Sequence, residues 1–164
     1  MSKVLLQSSD DSVDFEEDTL AGKYLTFSIG AESYGIEIRH VIEIIKLQPM
    51  TAVPEMPDYI QGVMNLRGQI FPVMDVRKRF KKESGNYNDR TCIVVIDVNG
   101  LSIGLIVDSV SEVMAIANED IVNPPDLGND RQRYIDGICR ANGEVKLLVN
   151  ASKLIVDEDL EYFQ

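Results

Sequence analysis

GVMNLRGQIFPVMDVRKRF, residues 62–80, reads as a strand, a tight turn, a second strand and a short charged helix. Val63 to Leu66 alternate in facing as far as Arg67-Gly68, where glycine supplies the positive φ of a tight turn. Ile70 to Met74 is the returning strand. Pro72 inside it predicts an edge position or a bulge, because proline has no N–H for a ladder. Asp75 is placed to cap a helix that ends near Phe80. An arginine at a hairpin tip, beside the amide of Asn65, is a candidate contact for a partner; the plainer reading is a solvated turn residue.

On either side the chain is rich in short strands. Leu25, Phe27 and Ile29 alternate with polar neighbours, and Gly30-Ala31-Glu32 turns the chain into a strand carrying Tyr34, Ile36 and Ile38. Ile38, Val41, Ile42 and Ile45 fall at helical spacing, so a short helix running into a strand is expected over His40 to Lys46. Three prolines between Gln48 and Pro57 make a fixed connector. Cys92–Val98 and Leu101–Val107 flank Asn99-Gly100, a strong hairpin signal. Val110 to Ile116 is a further apolar run, Tyr134 to Val149 a last hairpin, and Ala151 to Val156 a short helix.

The pattern occurs twice. SYGIEIRHVIEI at 33–44 matches SIGLIVDSVSEV at 102–113, an offset of 69 residues. YIQGVMNLRGQIFPVMD at 59–75 matches YIDGICRANGEVKLLVN at 134–150, an offset of 75. Two colinear matches argue for an internal duplication over chance likeness among hairpins. The expected fold is mainly β: two similar small five-stranded β-barrels packed around a shared apolar core, with a few short helices. The first barrel is expected at about 22–90 and the second at about 91–156, each near the lower size limit for a stable core, so that the two pack together. Glycines 35/104 and 62/137 recur and belong to the shared backbone. Asn65-Leu66-Arg67 becomes Arg140-Ala141-Asn142, so Arg67 is not what the turn itself requires.

Composition narrows the function. The net charge of −11 divides into −5 for residues 1–20, −4 for 157–164 and −2 for the body between them. The acidic ends, 1–21 and 157–164, read as tails, the first of them disordered, and a near-neutral body does not favour nucleic acid. The run Arg77, Lys78, Arg79, Lys81, Lys82 reads as a solvated face. No apolar run approaches the ~20 residues of a membrane span, so direct membrane insertion is not expected and a cytoplasmic location is. Cys92 and Cys139 read as small core residues of a reducing compartment, with a single disulfide left open. One histidine, His40, no nucleophile–base spacing, no phosphate loop and no metal-ligand cluster point away from catalysis and from a cofactor. The alternative is a small hydrolase or sugar-binding barrel working through scattered carboxylates.

G-V-x-N-L-R-G-x-I-x-P-V-x-D-x-R-x-x-F, as it stands from Gly62 to Phe80, resembles the signature of the CheW family of bacterial chemotaxis coupling proteins. YGIEIRHVIEI resembles that family's second strand and helix and GLIVDSVSEV their second-barrel counterpart, and the likeness covers about 22–156. It implies two five-stranded barrels and a non-catalytic adaptor that links transmembrane chemoreceptors to the histidine kinase CheA. Kinase contact is implied for Val41, Glu43 and Gly62, with Glu43 offered to a cation of the kinase. Receptor contact is implied for Ile38, Asn65, Arg67, Val110 and Val113, along a groove between the barrels. Recruitment to membrane-associated receptor arrays follows from the same resemblance. The loop from Val122 to Leu127, implied as a second kinase contact, lacks an arginine found in some relatives.

Overall fold

The protein is described by a computed structural model that covers residues 20–83, 85–125 and 133–155. Both expected tails lie outside these residues, apart from positions 20 and 21, as does part of the Val122–Leu127 loop. Ten strands follow one another: β1 Lys23–Ile29, β2 Glu32–Glu37, β3 Val41–Lys46, β4 Ile60–Leu66, β5 Gln69–Asp75, β6 Cys92–Val98, β7 Leu101–Val107, β8 Ser109–Ala115, β9 Ile135–Ala141 and β10 Glu144–Val149. Two one-turn helices, α1 Val76–Arg79 and α2 Ala151–Leu154, close the two repeats. The α1 cap is as expected, with the Asp75 carboxylate accepting from the backbone N–H groups of Arg77 and Lys78.

The strands form two five-stranded sheets, in the orders β8-β1-β2-β10-β9 and β3-β6-β7-β5-β4. This corrects the expected division of the chain at residues 90 and 91. Each sheet takes its first hairpin from one repeat and its other three strands from the other. The joints are two parallel ladders, β2 on β10 and β5 on β7. Their registers are equivalent: Gly35 lies opposite Leu148 as Gly104 lies opposite Val73. The repeats are therefore related by an approximate twofold, and neither completes a sheet alone. A glycine stands at each joint because space is short. A Cβ on Gly104 would lie 2.8 Å from Ile93 Cγ2 and 3.2 Å from Phe71 Cε1.

Each sheet also curls until its edges meet. Thr51, downstream of β3, exchanges two backbone hydrogen bonds with Val63 of β4, at 3.0 and 2.9 Å. Val122, downstream of β8, does the same with Ile138 of β9. At the first of these bridges Gly62 has φ +155°, and a Cβ there would overlap the Thr51 carbonyl.

The largest apolar cluster lies between the sheets, with Leu25, Phe27, Tyr34 and Ile36 from one and Val94, Ile96, Ile103 and Leu105 from the other. Burying side chains of this size is worth about 1.5–3 kcal/mol each before chain entropy is set against it. A row of rings, Phe27, Tyr34, Phe80 and Tyr134, crosses this core with centroids 5.4–5.7 Å apart. Arg79 sits where the repeats meet. Its guanidinium lies 4.2 Å from the Tyr59 ring centroid and 5.0 Å from that of Tyr134, and Nε donates to the Leu154 carbonyl at 3.2 Å. Tyr59 and Tyr134 are repeat equivalents, as are Arg79 and Leu154. At 7% exposure Arg79 is not part of a solvated basic face, which corrects that reading for this member of the run.

Two local expectations change as well. The helix expected from His40 is a single 3₁₀ turn over Ile38–His40, and Val41–Lys46 is strand. Four β-branched residues favour the extended form, and a register shift between Val41 and Glu43 turns Ile42 outward, which imitates helical spacing. Pro72 lies on an inner strand, yet one residue short of the β5–β7 ladder that starts at Val73, so no N–H is missed.

The strand exchange predicts that residues 20–90 alone do not fold as a monomer. Analytical ultracentrifugation with near-UV circular dichroism should find an unfolded chain or a paired one; a compact native-like monomer would contradict the topology. Cys92 and Cys139 are free thiols on different sheets. Burial pushes the Cys92 thiol up to about 11, so below that pH it stays protonated. At pH 8 its alkylation should be about 100-fold slower than that of an ordinary thiol, rise with pH, and recover in denaturant.

Candidate functional site

The β4–β5 hairpin places Arg67 at the mouth of the second sheet. Asn65 Oδ1 accepts from Gly68 N–H at 2.9 Å and closes the turn, much as Asp97 does for Gly100 in the β6–β7 hairpin. Arg67 itself has φ +52°, a conformation that asparagine tolerates better than arginine. Its counterpart in the second repeat is an asparagine, Asn142, at φ +54°.

Across the mouth stands Glu43 of β3. Both guanidinium terminal nitrogens of Arg67 reach its carboxylate, Nη2 on Oε1 and Nη1 on Oε2, the latter at 3.4 Å. The Glu43 side chain is 7% exposed and that of Arg67 58%. Glu43 thus turns inward to a cation of its own chain, so the free carboxylate expected for an outside cation is not what the structure holds. The pair also joins the two edges of the sheet at the end opposite the Thr51–Val63 bridge. The other repeat has the same arrangement in a weaker form, with Asn142 Nδ2 donating to Glu112 Oε1 at 3.3 Å.

Beside the pair lies a cleft of about 250 Å³ lined by Ile42, Leu66, Phe71 and Val95 and by the polar Gln69 and Ser102, with Glu43 and Arg67 at its side. Ile42 is 41% exposed, and Ile70, next along the hairpin, is 66% exposed. Neither was among the expected site residues. Ile70 stands in an unbroken apolar run and Ile42 beside Glu43, and the bulge next to Ile42 leaves no local trace in the sequence.

The expected residues regroup in space. Ile38 and Val41 are buried in the inter-sheet core, and Val110 and Val113 of edge strand β8 are half-buried against it. Asn65, Arg67 and Glu43 gather at the mouth instead. Gly62 lies toward the far end of β4, five residues from Arg67 and so about 16 Å away along the strand. Each of the two implied contact sets therefore has one part in the apolar seam and another on the second sheet.

A second cleft of about 410 Å³, between Glu32 and Glu144, has two carboxylates, as a hydrolase would need. Glu32 is bound by Lys82 and by Tyr34, and Glu144 by Lys146 at 2.9 Å, so each carboxylate already has donors of its own chain. Among the described residues no group of three or more His, Cys, Asp or Glu side chains could hold a metal ion, and no helix is long and apolar enough to cross a membrane.

Comparison with known proteins gives one consistent result. The CheW-like domain family matches residues 23–159. The chemotaxis protein CheW of Klebsiella aerogenes is 32% identical over 144 residues, 87% of each chain. CheW of Bacillus subtilis is 30% identical over 83% of this chain and 88% of its own, and the protein FrzA of Myxococcus xanthus is 28% identical over 81% and 84%. Among solved structures, the scaffolding protein TtCheW of Thermoanaerobacter tengcongensis superposes with a TM-score of 0.78 at 32% identity, covering 84% of this chain and 90% of that one.

Arg67→Asn tests what the arginine does for the fold. It relieves the positive φ and rebuilds the Glu–Asn contact of the second repeat, while losing an ion pair whose half-exposed cation limits its value. Urea unfolding is expected to place it within about 1 kcal/mol of the parent. A loss above about 3 kcal/mol would mean that the guanidinium, not the turn, holds the mouth together.

Proposed function

The chain belongs to the CheW family, and from that premise we propose that it is a non-catalytic chemotaxis adaptor coupling the cytoplasmic tips of chemoreceptors to the regulatory domain of the kinase CheA. The observation that supports this best is the Glu43–Arg67 pair at the rim of a cleft of mixed polar and apolar lining. One half of the pair comes from the implied kinase set and the other from the implied receptor set. The half-exposed guanidinium can turn from Glu43 to a polar group of a receptor helix while the apolar seam holds that helix's apolar face. Kinase contact falls to the surface around Glu43 and Gly62, with Val41 buried behind it in the inter-sheet core, so that backbone shape and packing do more than free charge. A receptor that draws Arg67 away alters the environment of Glu43 and shifts the placement of a two-state kinase. Location at membrane-associated receptor arrays would follow from binding, without insertion into the bilayer.

The test is a binding assay with the CheA regulatory domain and a receptor cytoplasmic fragment. Both should bind the parent protein. Arg67→Ala should weaken receptor binding about tenfold or more while kinase-domain binding persists. Absence of binding to either partner would overturn the proposal.

A further inference from the structure

Each repeat ties its terminal helix cap to the preceding hairpin, but the two do it differently. In the second repeat the tie is direct. Asn150 Nδ2 donates to Asp136 Oδ2 at 2.5 Å, and Lys153 Nζ donates to Asp136 Oδ1 at 2.8 Å. The equivalent residues of the first repeat are Asp75, Gln61 and Lys78. Here Lys78 Nζ donates to Gln61 Oε1 at 3.0 Å, but the contact between Gln61 and the cap is made by a fourth residue. Gln61 Nε2 donates to the Tyr87 hydroxyl at 3.1 Å, which donates to Asp75 Oδ2 at 2.7 Å.

Tyr87 comes from the connector between α1 and β6, and among the described residues nothing takes this role in the other repeat. The fold can make the junction without it, since Asn150 and Asp136 do so. Its place is next to the closure of the sheet: Gln61 precedes Gly62, and Val63 carries the bridge to Thr51. Burial, then the bond to Asp75, pushes the phenol's pKa up, so the hydroxyl remains a donor throughout the ordinary pH range.

We propose that Tyr87 is a positioning residue: it latches the inter-repeat connector onto the Asp75 cap and, through Gln61, fixes the β4 backbone at Gly62. The value of this for kinase contact rests on the function proposed above; the latch itself does not.

The experiment uses the full chain and Tyr87→Phe, which keeps the ring and removes both hydrogen bonds. Amide hydrogen exchange at residues 61–63 should quicken about tenfold, while the equivalent amides at 136–138 stay unchanged. The triple variant Gln61→Asp, Asp75→Asn, Tyr87→Phe copies the direct tie of the second repeat and should restore slow exchange. Unchanged exchange at 61–63, or an equal rise in both repeats, would overturn the latch. Affinity for the CheA regulatory domain is then measured on the same variants and should fall about fivefold with Tyr87→Phe. Faster exchange with unaltered affinity would uphold the latch and remove Gly62 from the kinase surface.

Discussion

Two short parallel ladders, β2 against β10 and β5 against β7, are the interactions on which this molecule depends. Each is only three or four residue pairs long. Every other feature of the fold presupposes them. They bring hairpins from opposite repeats into one sheet, they require glycine at positions 35 and 104, and they bring Arg79 of one repeat against Leu154 of the other. The inter-sheet core then gathers large residues from both repeats, so that two units below the usual size for stability share one interior.

The same duplication separates scaffold from site. Both sheets carry a hairpin tip facing a glutamate across an edge gap, and the backbone at the two tips is alike. The first tip has the guanidinium of Arg67 and an adjoining cleft; the second has the amide of Asn142 with Glu112 exposed beneath it. What differs between copies is side-chain chemistry on a fixed frame, which is where recognition is read most safely.

Much of this was legible in the sequence because it is local. Asn99-Gly100, Arg67-Gly68 and Asn142-Gly143 announce their hairpins through backbone conformation, and Asp75 announces its helix by capping. The repeat offsets gave strand number and equivalence. They could not say which repeat's strands would pair, because an offset is the same whether copies close on themselves or exchange. The Glu43–Arg67 contact was hidden for a related reason: 24 residues separate the partners, and nothing in either neighbourhood names the other. Ile42 was misjudged through a bulge, which shifts facing by one residue without altering composition.

The exchange of strands also orders the protein's birth on the ribosome. The second sheet draws only on residues 41–107 and has all its strands once Val107 has emerged. The first sheet begins with β1 and β2 but waits for β10, whose Lys146 hydrogen-bonds to Ser33 across a separation of 113 residues. At about 5–20 residues per second, the nascent chain holds its first hairpin without β10 for about 2–8 s after the second sheet's strands are all present. During that interval an unpaired strand edge is open to the solvent and to neighbouring chains. The sheet bearing Arg67 and its cleft is thus the one that can form first, and the growing chain's exposed side is the sheet that starts earliest and finishes last.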